Sequence, residues 1–158
     1  MKKWVKITLI IVSVIIILIT AIAIWIIDNT RIIEDYNPKV VEIARSIDGD
    51  NLKGGVYAYN LEKHEDKIVQ TLYFAYDRTK SIVTFHLKDG VIDSAYRETH
   101  YTTKLSAKRC EDAFISKTID SNIVYGPIDL GDDYQNMTGD ELYTQLEEQY
   151  SKFAVKLN

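Results

Sequence analysis

One cysteine, two prolines and three histidines in 158 residues exclude several kinds of chemistry at once. Cys110 stands alone, so no intramolecular disulfide can staple the chain and no paired-cysteine metal site exists. A nucleophile elbow, a phosphate-binding glycine loop and an HExxH pair are all absent, and no stretch calls for a cofactor. Positive charge is also short outside the first segment. Without the three lysines of residues 1–27, 16 basic side chains face 23 acidic ones, a net charge of −7. Such a field repels phosphate backbones and disfavours nucleic acid as a partner.

Charge of either sign is missing from Ile7 to Ile27. As a helix rising 1.5 Å per residue this run is about 32 Å long, enough for a hydrocarbon core of about 30 Å. A secretory signal has a shorter apolar region that ends in polar residues before its cleavage site. Here the small-x-small candidate, Ala21-Ile22-Ala23, lies inside the run with four bulky apolar residues after it. The expectation is a retained anchor rather than a cleaved signal. Lys2, Lys3 and Lys6 flank one end, while Asp28, Glu34 and Asp35 flank the other. The N-terminus is therefore expected in the cytoplasm, with Trp4 and Trp25 near the two interfaces. This gives a cytoplasmic stretch at 1–6, a transmembrane signal-anchor at 7–27, a tether at 28–37 and one extracytoplasmic domain at 38–158.

Pro38 after Asn37 opens a helical pattern through Val40, Ile43, Ala44 and Ile47. From Gly54 to about Thr103 the apolar spacing changes to period two, which predicts a four-stranded antiparallel meander. Asp89-Gly90 is a favoured two-residue hairpin turn. It predicts Lys88 opposite Val91, His86 opposite Asp93 and Thr84 opposite Ala95, with Val83, Phe85, Leu87, Ile92 and Tyr96 on one apolar face. Pairing Tyr76 with Ser81 adds Leu72 and Phe74 to that face. Ala107, Cys110 and Phe114 predict one stripe of a helix capped by Ser106, with Cys110 buried. Thr138 and Glu141 form a capping-box pattern ahead of Leu142, Leu146, Tyr150 and Phe153. The fold class is α+β, with about three helices against the sheet.

The candidate site residues follow from the hairpin register. His86 facing Asp93 would hold an imidazole in one orientation, as a general base requires, and Thr84 is the nearest hydroxyl. Opposite charges facing each other also simply stabilise a sheet. Asp48, Asp50 and Asp129 begin calcium-loop spacings, but Leu52, Lys53 and Gly131 occupy positions where the loop needs ligands or its glycine, so polar turns are expected. Ten of eleven tyrosines lie from Tyr57 onward. Tyrosine suits both strands and binding surfaces. The second sheet face, with Tyr73, Thr84, His86, Asp93 and Arg97, is thus the expected binding surface, and no metal site is expected. The expected function is a membrane-anchored binding or accessory protein, of inhibitor, immunity or envelope-assembly type, that spans the cell membrane once beside another membrane or envelope protein. A small-ligand-binding module is the alternative, and a hydrolase using His86 and Asp93 a third reading.

Overall fold

A computed structural model describes residues 3–33, 55–74, 78–134 and 136–157. The helix pattern after Pro38 and the first aspartate-rich stretch lie outside the described residues. The apolar run forms one helix, α1 (Lys3–Thr30), long and apolar enough to cross a membrane. Its large apolar side chains are exposed along its whole length. The helix shows no polar face, and its apolar span is not buried against the described residues.

The rest is built on a seven-stranded sheet, not the expected four: β1 (Val56–Lys63), β2 (Lys67–Phe74), β3 (Lys80–Lys88), β4 (Val91–His100), β5 (Thr118–Asp120), β6 (Ile123–Ile128) and β7 (Val155–Lys156). The order across the sheet is β5-β6-β4-β3-β2-β1-β7. The first four strands form the expected meander. The short β6 joins β4 antiparallel, β5 pairs with β6 at that edge, and β7 lies parallel to β1 at the other.

The hairpin turn is formed as its residues require: Asp89 and Gly90 both take positive φ, 53° and 80°. Lys88 faces Val91 and Leu87 faces Ile92, but His86 faces Ser94. Asp93 is an extra residue on β4, a bulge, and it corrects the expected register. Because side chains alternate, one inserted residue exchanges the two faces for everything beyond it. Tyr96 therefore leaves the core face, and Ala95, Arg97 and Thr99 take it. On the other side of β3, Leu72 rather than Tyr76 faces Ser81. That slip is an even number of residues, so Leu72 and Phe74 keep their expected face.

The core face carries Ile68, Leu72, Val83, Phe85, Ile92 and Ala95, all buried. The C-terminal helix α3 (Gly139–Tyr150) covers part of it with Leu142 and Leu146, 0% and 4% exposed. Its capping box is formed: Glu141 N donates to Thr138 Oγ1 (3.3 Å), and Thr138 N donates to the Glu141 carboxylate (2.9 Å). Gly139 N donates to Gly90 O and Ile92 N to Met137 O, both at 3.0 Å, which anchors the start of α3 at the hairpin turn.

The helix expected around Cys110 is shorter. The α2 segment (Lys104–Lys108) is capped by Thr103, whose side chain accepts from Ser106 N, and it ends before Cys110. Cys110 still packs with Ala107 and Val124, beside Tyr101 and Phe114. The same segment meets the end of α1: Lys104 Nζ donates to both oxygens of Asp28 (2.8 Å) and Lys108 Nζ to Asn29 Oδ1 (2.8 Å). Ile33 N donates to Thr102 O (2.7 Å) just beyond. These three contacts clasp the helix to the sheet domain.

Candidate functional site

Three neighbouring rows cross the core face of β2, β3, β4 and β6. Ile68, Phe85, Ala95 and Ile128 form an apolar row; Gln70, Val83, Arg97 and Gly126 the next; Leu72, Ser81, Thr99 and Val124 the third. The first row lies with Leu142 in the core, whereas the other two open into a cavity of about 400 Å³. Leu146, Gln149 and Tyr150 of α3 wall one side, the loop with Leu130 and Tyr134 another, and Tyr101 and Asp112 a third. The Tyr134 ring stacks on Phe85 with centroids 6.2 Å apart, giving the cavity an aromatic end.

Polar groups converge on its floor. Asp112 Oδ2 accepts from the Tyr101 hydroxyl (3.2 Å) and from Thr99 Oγ1 (3.4 Å). Burial, reinforced by the neighbouring Cys110 and Asp112, pushes the Tyr101 phenol far above its ordinary range, so it stays a donor. Burial also raises Tyr150, while the Gln70 amide and the Arg97 charge act against that rise. Gln70 is 4% exposed, yet its Nε2 makes no hydrogen bond of normal geometry. Arg97 Nε is likewise buried without an acceptor. No carboxylate of the described residues forms an ion pair with this guanidinium, which cannot shed its proton.

The expected site residues are divided between two faces. Tyr73, Thr84 and His86 share the second face with Ile82, Tyr96 and Tyr125, and the Tyr96 and Tyr125 rings lie 6.3 Å apart. Thr84 faces Tyr96 rather than Ala95. His86 is exposed opposite Ser94, so the cross-strand pairing with Asp93 that the hydrolase reading used does not form. Asp93 is exposed at the bulge, and Arg97 points to the core face instead of the second one. In the Asp129 loop Gly131 N donates to Asp129 Oδ1 (3.1 Å), a polar turn. Among the described residues no three His, Cys, Asp or Glu side chains are placed to hold a metal ion.

The cavity residues Gln70, Ser81 and Thr99 were not singled out by the sequence. A signal existed for Gln70, which occupies a core-phase position between Ile68 and Leu72, but not for Ser81 or Thr99, whose core-phase neighbours include Thr79 and Arg97. No protein-family model, no curated protein and no solved structure matches the chain.

Proposed function

We propose that the chain is a single-pass membrane protein whose domain, held outside the cytoplasm, binds a small molecule in the cavity between sheet and α3. One observation carries this: a cavity of ligand size whose lining sets Arg97, Gln70 and Thr99 opposite an apolar wall of Phe85, Leu130 and Tyr134. A half-buried charge without an ion pair costs free energy, and a fold that needed only stability would have filled the position with an apolar side chain. The membrane part rests on the length of α1, its exposed apolar surface and the lysines before it.

The clasp between α1 and α2 supports an accessory role. It ties the cavity domain to the anchor, so that a second membrane or envelope protein could read whether the cavity is filled. Such a partner would meet the second sheet face with Tyr73, Thr84 and His86, since the core face is occupied by α3 and the cavity.

Isothermal titration calorimetry of the full chain in detergent micelles against a broad metabolite library tests the ligand reading. The expected result is saturable binding that Ser81→Leu, which fills the cavity floor, abolishes. Binding unaffected by Ser81→Leu, in a variant that melts as the parent does, would place the ligand elsewhere and overturn it.

A further inference from the structure

Resting on that reading, we propose that the cavity takes a small monocarboxylate with an apolar body, its carboxylate on Arg97 and its body against Phe85 and Tyr134. The charge comes first. Arg97 is the cation lining the cavity, and a planar guanidinium presents parallel donors that fit a carboxylate with two hydrogen bonds. Gln70 lies in the same row across Val83, with its amide against the Tyr150 hydroxyl. The guanidinium lines the cavity without an ion pair to any carboxylate of the described residues, which leaves it for an acceptor group of the ligand.

The charge number follows from the neighbours. Asp112 and Asp129 also line the cavity, so a dianion such as a phosphate monoester would meet one cation and two carboxylates. The two carboxylates repel every negative charge on a ligand, and the one cation among the described lining residues can balance a single such charge but not two. A cationic ligand would meet Arg97 directly, and a neutral one would leave the guanidinium uncompensated. Asp112 is already held by Tyr101 and Thr99, so it stands as a fixed wall rather than a competing partner for Arg97.

The body follows from the other end. Phe85, Ile128, Leu130 and the stacked Tyr134 ring form an apolar wall one row from Arg97. A ring or branched chain attached to the carboxylate can lie there without burying a further polar group. The cavity volume lies at the small end of those that hold drug-sized molecules, which excludes long acyl chains from full enclosure.

The probes are phenylacetate, cinnamate and 4-methylpentanoate, each with its primary amide, titrated calorimetrically into the full chain in detergent micelles, with empty micelles as the blank. Acids binding at least tenfold tighter than their amides is the expected result, with Arg97→Gln removing that preference and Arg97→Lys keeping part of it. Differential scanning calorimetry of each unliganded variant separates lost binding from lost folding, and Arg97→Gln should melt no lower than the parent. Equal binding of acid and amide, or an acid preference that survives Arg97→Gln, overturns the carboxylate assignment. Neutral library compounds that bind and are lost in Ser81→Leu would overturn it too while leaving the cavity as a binding site. Binding of neither panel nor library would overturn both readings.

Discussion

The two halves of the core face are made by the same strands two residues apart, yet they are finished differently. Where Ile68, Phe85 and Ala95 stand side by side, Leu142 closes over them and the surface is lost to water. One and two rows on, Gln70 with Arg97 and Ser81 with Thr99 take the equivalent positions, and α3 leaves a cavity above them. The contrast teaches that the helix is placed by its start rather than by its whole length. Its capping box and the bonds to Gly90 and Ile92 fix it at the hairpin turn, and its last turn then becomes a wall. Close packing is concentrated at the turn end, and the cavity lies at the other.

Substitutions can break that contrast. The largest effect is expected in the closed half, where Phe85→Ala removes a ring that is 4% exposed and should cost about 3–5 kcal/mol in a urea melt. A loss below about 1 kcal/mol would mean that the closed half is not the stability centre. Next comes Gly126→Ala, whose added methyl would sit 2.0 Å from the Ser116 carbonyl oxygen. Because backbone must move, a loss of about 3 kcal/mol is expected, measured the same way.

Arg97→Met should behave oppositely, gaining about 1 kcal/mol in the unliganded chain, because it exchanges an unpaired charge for an apolar side chain. A clear loss on chemical denaturation would show that Arg97 is structural. Thr138→Ala removes the cap that holds α3 at the turn and should cost about 1 kcal/mol. Separate bonds donated by Thr138 N and, to a lesser extent, Thr138 Oγ1 to the Glu141 carboxylate hold that carboxyl below its usual range. Their stabilisation is therefore present above the ordinary carboxylate pKa and fades as pH falls through the depressed one. Thr138→Ala should shrink that acid limb only in part in a stability-against-pH series, because the backbone bond to Glu141 remains.

The smallest effect is spectroscopic. Tyr57 is raised to about 12 by burial, chiefly, with Tyr73 adding to the shift, and Tyr101 lies higher still than its ordinary value. Keeping these phenols neutral stabilises the fold fully below about pH 10, where unfolded tyrosine begins to ionise. That contribution is lost as pH rises toward 12. Absorbance at 295 nm should show these two ionising last; an ordinary titration of all ten tyrosines of the domain would contradict their burial.

Local rules carried much of this architecture. The Asp89-Gly90 turn, the Thr138 capping box and the period-two run each act over a few residues, so each was legible. The strands β5 and β7 were not, because three and two residues hold no period. In β6, Pro127 argued against a strand. The bulge was illegible for a different reason: nothing in Val91–His100 marks Asp93 as extra, and its place depends on the pairing of the hairpin tip with Met137 and Thr138. Arg97 was therefore chosen as a site residue but assigned to the wrong side. Gln70 and Ser81 were passed over because a polar residue at a core position looks like an exception until its neighbours across the sheet are known.

The unpaired Asp93 gives the domain a form of parity. From His100 back to Ser94, every side chain of β4 has its inside or outside position set by whether an odd or even number of residues separates it from the turn. Loss of a single codon at Asp93 would remove only the bulge, leaving a regular hairpin with Tyr96 still opposite Thr84 and the guanidinium still opposite Val83. The cavity thus depends on where the hairpin accommodates one residue: a strand that paired Asp93 with His86 would place Tyr96 opposite Val83 and turn the guanidinium out.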